Sequence, residues 1–276
     1  MPFVTAKDGT RLHYEDWGTG RPVVLLCSAT MNSRMWEFQA PYLAGRGLRC
    51  ILPDRRGFGR SDRPWNGYDY DTLADDLASL MGHLELRDAT LVGYAMGGGE
   101  AVRYLARHGS DQVARLALVC STTPYLLRAQ DNPDGVDPAV LEQVTAAMAA
   151  DRPRYVSEIV APFFGGPGAT ADSHTVSPQL AGWITGQALD GSLRASVEIT
   201  RTLLTEDLRE DVRGIGLPTL IVHGDADVSA PLELCARRTA ALIPGGEVVV
   251  YEGAAHGLFV THADRLNAEL LAFAGQ

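Results

Sequence analysis

The sequence predicts an α/β fold with a mostly parallel central sheet, helices on both faces and a helical lid inserted near the middle. Short strand-like runs alternate with longer helical patterns along most of the 276 residues, as in chains of βαβ units. Several of these runs are almost continuously apolar, which is typical of strands buried on both faces. The stretch 122–213 departs from this alternation and contains no convincing strand.

The elements of the core follow from residue type and spacing. Strands are predicted where β-forming residues lie between turn residues, at 11–17, 23–27, 49–52, 89–94, 116–120, 219–223 and 247–251. Helices are predicted where apolar residues recur every three or four positions, at 35–44, 71–84, 99–107, 232–241 and 263–273. In the second of these helices, Leu73, Leu77, Leu80 and Leu84 give one apolar face.

The stretch 122–213 is predicted to be mainly helical. Its helical patches lie at 139–150, 154–159 and 195–204. Clusters of loop-forming residues lie at 131–138 and 165–177. Open α/β sheets bind ligands beyond the carboxyl ends of their strands, so we expect this stretch to be a lid over that edge. The predicted organisation is one α/β core, formed by 1–121 and 214–276, with the lid at 122–213 inserted in it.

Composition limits the classes of partner. A net charge of −10 argues against nucleic acid and anionic membranes. No run is as long as a membrane span, and the first residues do not resemble a signal peptide. Cys27, Cys50, Cys120 and Cys235 are scattered through apolar segments without a C-x-x-C pair, which predicts reduced core thiols. We therefore expect a cytoplasmic protein that acts on a small molecule, and the pattern leaves a homo-oligomer open.

The segment Gly93-Tyr94-Ala95-Met96-Gly97 has the form of the nucleophile turn G-x-S-x-G, with alanine in place of serine. An apolar run precedes it, glycines flank it and a helical run follows it. This strand–turn–helix context is what the motif requires. A methyl group cannot attack a carbonyl, so the chain as written lacks the atom that would form an acyl-enzyme.

Acyl transfer also needs a histidine base and an acid that orients it, each expected just after a strand. His256 follows the strand at 247–251 in a loop of small residues and is predicted to be the base. Asp225 and Asp227 both follow the strand at 219–223. Asp227 lies farther from the strand and can approach the histidine, so it is the preferred acid. Asp225 is interpreted as a turn-stabilising residue.

These motifs resemble the α/β-hydrolase family, and within it the cofactor-free (non-haem) chloroperoxidases and arylesterases. The resemblance covers nearly the whole chain and is weakest in the lid. It rests on residues 53–62, 68–72, 93–99, 224–227, 253–257 and 261–267. It implies hydrolysis of a small carboxylic ester, lactone or related acyl compound through an acyl-serine. It also implies peracid formation from a carboxylic acid and hydrogen peroxide, with neither a metal nor an organic cofactor.

The resemblance also assigns roles. Ala95 occupies the nucleophile position, Asp227 is the acid, His256 is the base, and the N–H of Met96 is one donor to the oxyanion. The second donor belongs to the loop after the strand at 23–27. The family usually has His-Gly and a bulky residue in that loop.

This chain has Cys27-Ser28-Ala29-Thr30-Met31 instead, and counting back from Met35 without a gap assigns the second donor to Ala29. A backbone donor does not depend on side-chain identity, so the oxyanion hole can survive this change. Asn-containing variants of the loop occur in enol-lactonases, which the region also resembles.

Several other residues are candidates for lining an apolar acyl pocket: Thr30, Trp36, Tyr94, Tyr125, Phe163, Phe164 and Trp183. A core position is the alternative for the aromatic residues among them. His223 is interpreted as a core histidine. The segment Asp54-Arg55-Arg56-Gly57 is interpreted as a structural one that connects the loop after its strand to the turn below. Gly97–Gly99 is not a phosphate loop, because the lysine and Ser/Thr of that motif are missing.

The alanine has three interpretations. The first is a serine-to-alanine substitution that inactivates an otherwise intact hydrolase. The second is a naturally serine-less lyase, cyclase or cofactor-free oxygenase that uses the His256–Asp227 pair, and the third is a non-catalytic small-molecule binding protein. The first is favoured because the acid, the base and the small-residue turn are kept together, and a strained turn persists where function requires it. The changed loop at 27–29 keeps the other two open.

Overall fold

The computed structural model describes residues 2–169 and 175–275. Its strands are β1 Phe3–Thr5, β2 Arg11–Gly18, β3 Arg21–Leu26, β4 Leu48–Pro53, β5 Ala89–Tyr94, β6 Val113–Val119, β7 Thr219–Gly224 and β8 Val248–Tyr251. They form an eight-stranded sheet in the order β1-β2-β4-β3-β5-β6-β7-β8. The strands from β3 to β8 are parallel, and β1 and β2 are an antiparallel extension at one edge. The predicted fold class is therefore confirmed.

Helices connect the strands and cover the sheet. Their bounds are α1 Ala40–Ala44, α2 Tyr70–His83, α3 Met96–His108, α4 Ala139–Gly165, α5 Pro178–Asp190, α6 Leu193–Thr205, α7 Arg209–Arg213, α8 Ala236–Leu242, α9 Leu258–Thr261 and α10 Ala263–Ala274. A 3₁₀ helix at Ser33–Phe38 precedes α1. None of the helices in the described ranges is long and apolar enough to cross a bilayer.

The sheet is buried on both faces. Along β3, Val23 and Leu25 belong to one apolar cluster, while Val24 and Leu26 belong to another. This alternation follows from the two-residue repeat of a strand, which sends successive side chains to opposite faces. The four cysteines are free and buried, as the sequence predicts.

The segment between β6 and β7 contains α4 to α7. The two helical patches predicted at 139–150 and 154–159 fall on either side of a break within α4, at Asp151, whose φ of −157° and ψ of 81° are not helical. Helices α5 and α7 were not predicted. Part of the predicted loop cluster at 165–177 lies outside the described residues.

The described part of this segment shares an apolar cluster with the turn at Ala95. Val160 and Phe164 of α4 and Ile184 of α5 belong to the same apolar cluster as Ala95. This cluster extends over one face of the sheet, from Cys50 of β4 to Tyr251 of β8, so a lid over the carboxyl ends of the strands remains a prediction.

Candidate active site

Ala95 forms the turn between β5 and α3 in a strained backbone conformation. Its φ is 49° and its ψ is −114°, in a region that residues with a side chain rarely adopt. The Ala95 N–H donates to the carbonyl of Val119 at 3.0 Å, which fixes the turn against β6. Strain of this kind costs of order 1–3 kcal/mol and persists only where the surroundings impose it.

Glycine permits the sharpness of this turn. A Cβ placed on Gly93 would lie 2.5 Å from the carbonyl oxygen of Gly97 and 2.5 Å from the Cα of Gly98. Real Cβ atoms do not come so close to backbone, so the end of β5 can contact the first turn of α3 only if residue 93 is glycine. The glycine at position 93 of the motif is therefore a steric requirement of the turn.

The two predicted oxyanion donors lie in neighbouring segments. Met96 is the first residue of α3, where a helical N–H has no intrahelical acceptor. Ala29 packs against the small apolar cluster that contains Met96 and Phe58. A Cβ on Gly97 would lie 2.7 Å from the carbonyl oxygen of Leu26, so the start of α3 rests directly on the end of β3.

Asp227 and His256 form a buried hydrogen-bonded pair. His256 Nδ1 lies 2.6 Å from Asp227 Oδ2, and each residue is 4% exposed. The other carboxylate oxygen of Asp227 accepts the N–H groups of Ser229 at 2.9 Å and Ala230 at 2.8 Å. The loops after β7 and β8 thus bring together the predicted acid and base.

The protonation of the pair follows from its surroundings. Burial opposes the charged form of Asp227, but the positive charge of a protonated His256 and hydrogen bonds from His223 and His256 outweigh it. The pKa of Asp227 therefore lies well below its usual range. An ionised carboxylate can only accept hydrogen bonds, so Nδ1 of His256 carries the proton and Nε2 is left as the basic atom.

Asp225 lies outside this pair. Its carboxylate accepts the N–H of Gly253 at 2.7 Å, which joins the loops after β7 and β8. This is the structural role that the sequence interpretation gives it.

His223 lies against the acid, a contact that sequence reasoning missed. Its Nε2 is 2.6 Å from the carbonyl oxygen of Ala230 and 3.4 Å from Asp227 Oδ2. A carbonyl only accepts, so Nε2 of His223 bears the proton and donates it to Ala230, close to the same carboxylate oxygen that His256 contacts. The spacing of four residues between His223 and Asp227 was visible in the sequence, but the turn that brings them together was not.

Aromatic side chains surround His256. The hydroxyl of Tyr94, which is fully buried, donates to the backbone carbonyl of His256. The rings of Tyr94 and Phe163 meet the imidazole edge to face, with centroids 5.7 Å and 5.1 Å from it. Trp36 and Phe164 form the next layer, against Tyr94 and Phe163 respectively.

Two of the remaining pocket candidates, Trp183 and Tyr125, line other cavities. Trp183 lines a cavity of about 440 Å³ between α5 and the loop at 32–34. This loop begins two residues after Thr30. Tyr125 lies in a different cleft, where the guanidinium of Arg209 is 5.1 Å from its ring centroid.

One group of residues near the pair has the atoms to hold a metal ion. Cys120 Sγ, a carboxylate oxygen of Asp227 and a ring nitrogen of His256 all lie within 4.8 Å of one another. Metal ligation by cysteine requires the thiolate. Burial raises the pKa of the Cys120 thiol far above its ordinary value, and Asp227 and His256 are already bonded to each other.

Comparison with known proteins identifies the family. Residues 21–263 match the family model described as alpha/beta hydrolase fold. The chain is 37% identical to a non-heme haloperoxidase of Rhodococcus erythropolis and 33% identical to a bifunctional esterase/perhydrolase of Acinetobacter calcoaceticus, over 99% of both chains in each case. A bromoperoxidase from Bacillus anthracis has a TM-score of 0.94 and 36% identity, over 100% of this chain and 99% of that one. The chain belongs to the α/β-hydrolase family.

Proposed function

We propose that this site hydrolyses small carboxylic esters or lactones through a Ser-His-Asp triad from which a serine-to-alanine substitution has removed the nucleophile. The observation that supports this most is a complete acid–base pair beside a strained turn whose central residue is Ala95. The chain as written is then inactive as a hydrolase. Relatives named as an esterase/perhydrolase and a haloperoxidase support acyl transfer to water or to hydrogen peroxide.

The proposed mechanism uses the geometry of each group. With serine at position 95, His256 Nε2 takes the hydroxyl proton as the oxygen attacks the acyl carbonyl. Asp227 holds Nδ1 and stabilises the imidazolium that forms. The N–H groups of Met96 and Ala29 bind the oxyanion, and the imidazolium returns the proton to the leaving alkoxide. Water, activated by the same imidazole, then releases the acid, and hydrogen peroxide in its place gives a peracid.

The test is Ala95→Ser, with turnover of a short-chain aryl ester compared between the two proteins. Loss of a triad nucleophile lowers kcat by about 10⁶-fold in a well-studied case, so we expect the restored serine to raise turnover by about 10⁴-fold or more. The double variant Ala95→Ser with His256→Gln is the matched control, because it has the hydroxyl but not the base. It should return to the background rate.

The measurement also separates the other interpretations. No rise in Ala95→Ser would contradict the proposal. A lyase, cyclase or oxygenase that uses the His256–Asp227 pair would instead turn over its substrate with Ala95 in place and lose that activity in His256→Gln. A binding protein would bind its small molecule equally well with either residue at position 256 and show no turnover in any variant.

A further inference from the structure

The loop that follows β3 directs three consecutive carbonyl groups at Arg55. Nη2 of Arg55 donates to the carbonyl of Cys27 at 2.7 Å, and Nη1 donates to those of Ser28 at 3.0 Å and Ala29 at 2.8 Å. The remaining nitrogen, Nε, donates to the carboxylate of Glu100. The side chains of Arg55 and Glu100 are buried, with exposures of 3% and 8%. Every nitrogen of the guanidinium is therefore engaged inside the protein.

These bonds fix the direction of the opposite ends of the same peptide groups. In a trans peptide the C=O and N–H bonds point opposite ways. The carbonyl of Ser28 shares a peptide with the N–H of Ala29, and the carbonyl of Ala29 shares one with the N–H of Thr30. Both N–H groups therefore point away from Arg55. Within the described ranges, neither has a hydrogen-bond acceptor.

The ion pair also joins this loop to the nucleophile turn. Glu100 lies in the second turn of α3, the helix that begins directly after Ala95. The loop bears one proposed oxyanion donor, and the start of α3 bears the other. Arg55 thus binds the carbonyl groups of the loop at 27–29 and, through Glu100, is bonded to helix α3.

We propose that Arg55, anchored by Glu100, is a positioning residue that orients and polarises the backbone donor that the loop at 27–30 contributes to the oxyanion hole. A positive charge on a carbonyl oxygen draws electron density from the peptide and makes the N–H at its other end a stronger donor. Arg55 touches neither substrate nor nucleophile in this role. The proposal rests on the proposed function, because an oxyanion forms only if the site performs acyl transfer.

Kinetics in the Ala95→Ser background test the catalytic consequence. Lysine keeps the charge but cannot contact three carbonyls and a carboxylate in one plane, so we expect Arg55→Lys to lower kcat by about 100-fold, the order found on losing one oxyanion donor. KM should change by less than about threefold, since an interaction made only in the transition state lowers kcat without changing substrate binding. A normal kcat, or a loss confined to KM, would overturn the proposal.

The neighbouring residue supplies a matched control. Arg56 is buried like Arg55 and forms a close ion pair, at 2.6 Å, with Asp76, but among the described residues it has no hydrogen bond to the loop at 27–30. Arg56→Lys should lower Tm by an amount similar to Arg55→Lys and leave kcat unchanged. Equal losses of kcat in both variants would mean that the Arg55 effect is one of general stability, and the proposal would fail.

A double variant keeps the test valid if a broken ion pair prevents folding. Replacing both partners of a buried pair with apolar groups is often neutral or stabilising. Arg55→Met with Glu100→Leu, again with Ala95→Ser, leaves no unpaired buried charge. It should therefore fold, with a Tm lowered only by the loss of the donor to three carbonyls, and still lose about 100-fold in kcat. A stable protein with normal kcat would show that the pair serves only the fold.

Backbone amide NMR of the chain with Ala95 gives a readout that does not depend on catalysis. Arg55→Lys should move the amide protons of Ala29 and Thr30 upfield, because their peptides lose polarisation, whereas Arg56→Lys should not move them. If these shifts occur but Ala95→Ser is inactive, the proposed function fails and the orienting role of Arg55 stands. If the Ala29 and Thr30 resonances stay in place, the orienting role itself is refuted.

Discussion

The Asp227–His256 pair and the turn at Ala95 are neighbours, but they hold their geometry in different ways. In the pair, His256 Nδ1 and both carboxylate oxygens of Asp227 have hydrogen-bond partners set by the loops after β7 and β8. In the turn, the backbone is held in an unfavourable conformation by packing around glycines. The pair stays assembled without a nucleophile, because its hydrogen bonds do not involve one. The turn keeps its backbone strain although the alanine at its centre has no reactive atom for the strain to position.

The pair should be the region whose disturbance has the largest effect. In the Ala95→Ser background, we expect Asp227→Asn to lower kcat by about 10⁴-fold. The asparagine NH₂ donates to Nδ1, so the proton moves to Nε2 and the imidazole can no longer accept the hydroxyl proton. Steady-state kinetics on an aryl ester would measure this.

Asp225→Asn is the matched control, because it changes the same residue type two positions away in the same turn. The side-chain oxygen can still accept the N–H of Gly253, so kcat should stay within about threefold of the parent value. Similar losses in both variants would mean that the turn after β7, and not the bond between Asp227 and His256, sets the activity.

In the turn, the largest effect should come from a methyl group on Gly93. The added Cβ would lie 2.5 Å from backbone atoms of residues 97 and 98, so β5 and α3 must separate. We expect Gly93→Ala to lower the free energy of unfolding by about 3 kcal/mol, the upper part of the range for overpacking. Denaturant unfolding followed by circular dichroism would measure the change.

Gly82→Ala provides the contrast. Gly82 lies in α2, and a Cβ there would meet no atom within 4 Å. Alanine is the better helix former, so this variant should gain about 0.5–1 kcal/mol. If Gly93→Ala were tolerated equally well, the turn could not be held by close backbone packing.

The sequence predicts the regular parts of this molecule well, for a physical reason. Near-continuous apolar runs are required of strands buried on both faces, and β5 was predicted with both of its observed ends, Ala89 and Tyr94. Edge strand β1, with three residues, is too short to show a period. Helix α5 was missed because glycines at 182 and 186 interrupt its pattern.

In the site, too, some features can be predicted from the sequence and others cannot. The order of the elbow, the acid and the histidine can be seen along the chain, because each follows a strand end. The contacts of His223 and Arg55 cannot, because they depend on how loops from different strands fold onto one another. In Asp54-Arg55-Arg56-Gly57 the two arginines are adjacent in sequence, yet one holds the loop at 27–29 and the other pairs with Asp76. Only the tertiary structure distinguishes them.

The low pKa of Asp227 makes the pair sensitive to acid. The folded state holds this carboxyl below its unfolded pKa, so its stabilising contribution is complete above about pH 4 and disappears as the pH falls through the folded pKa. A carboxylate stabilised in this way contributes on the order of 2 kcal/mol. The difference in unfolding free energy between the parent and Asp227→Asn should therefore shrink by about that amount from pH 5 to pH 2. A constant difference would mean that Asp227 is not stabilised as an anion.

The smallest expected effect is the most direct test of the strain in the turn. Glycine adopts a positive φ without strain, but it loses more entropy on folding than alanine and gives up a buried methyl. Ala95→Gly should therefore leave the free energy of unfolding unchanged or raise it by up to about 1 kcal/mol. The same substitution in a relaxed helix, Ala78→Gly in α2, should lower it by about 1 kcal/mol. Equal losses at positions 78 and 95 would mean that residue 95 is not strained. The alanine would then be held by the contacts of its methyl group, and the two regions would keep their geometry in the same way.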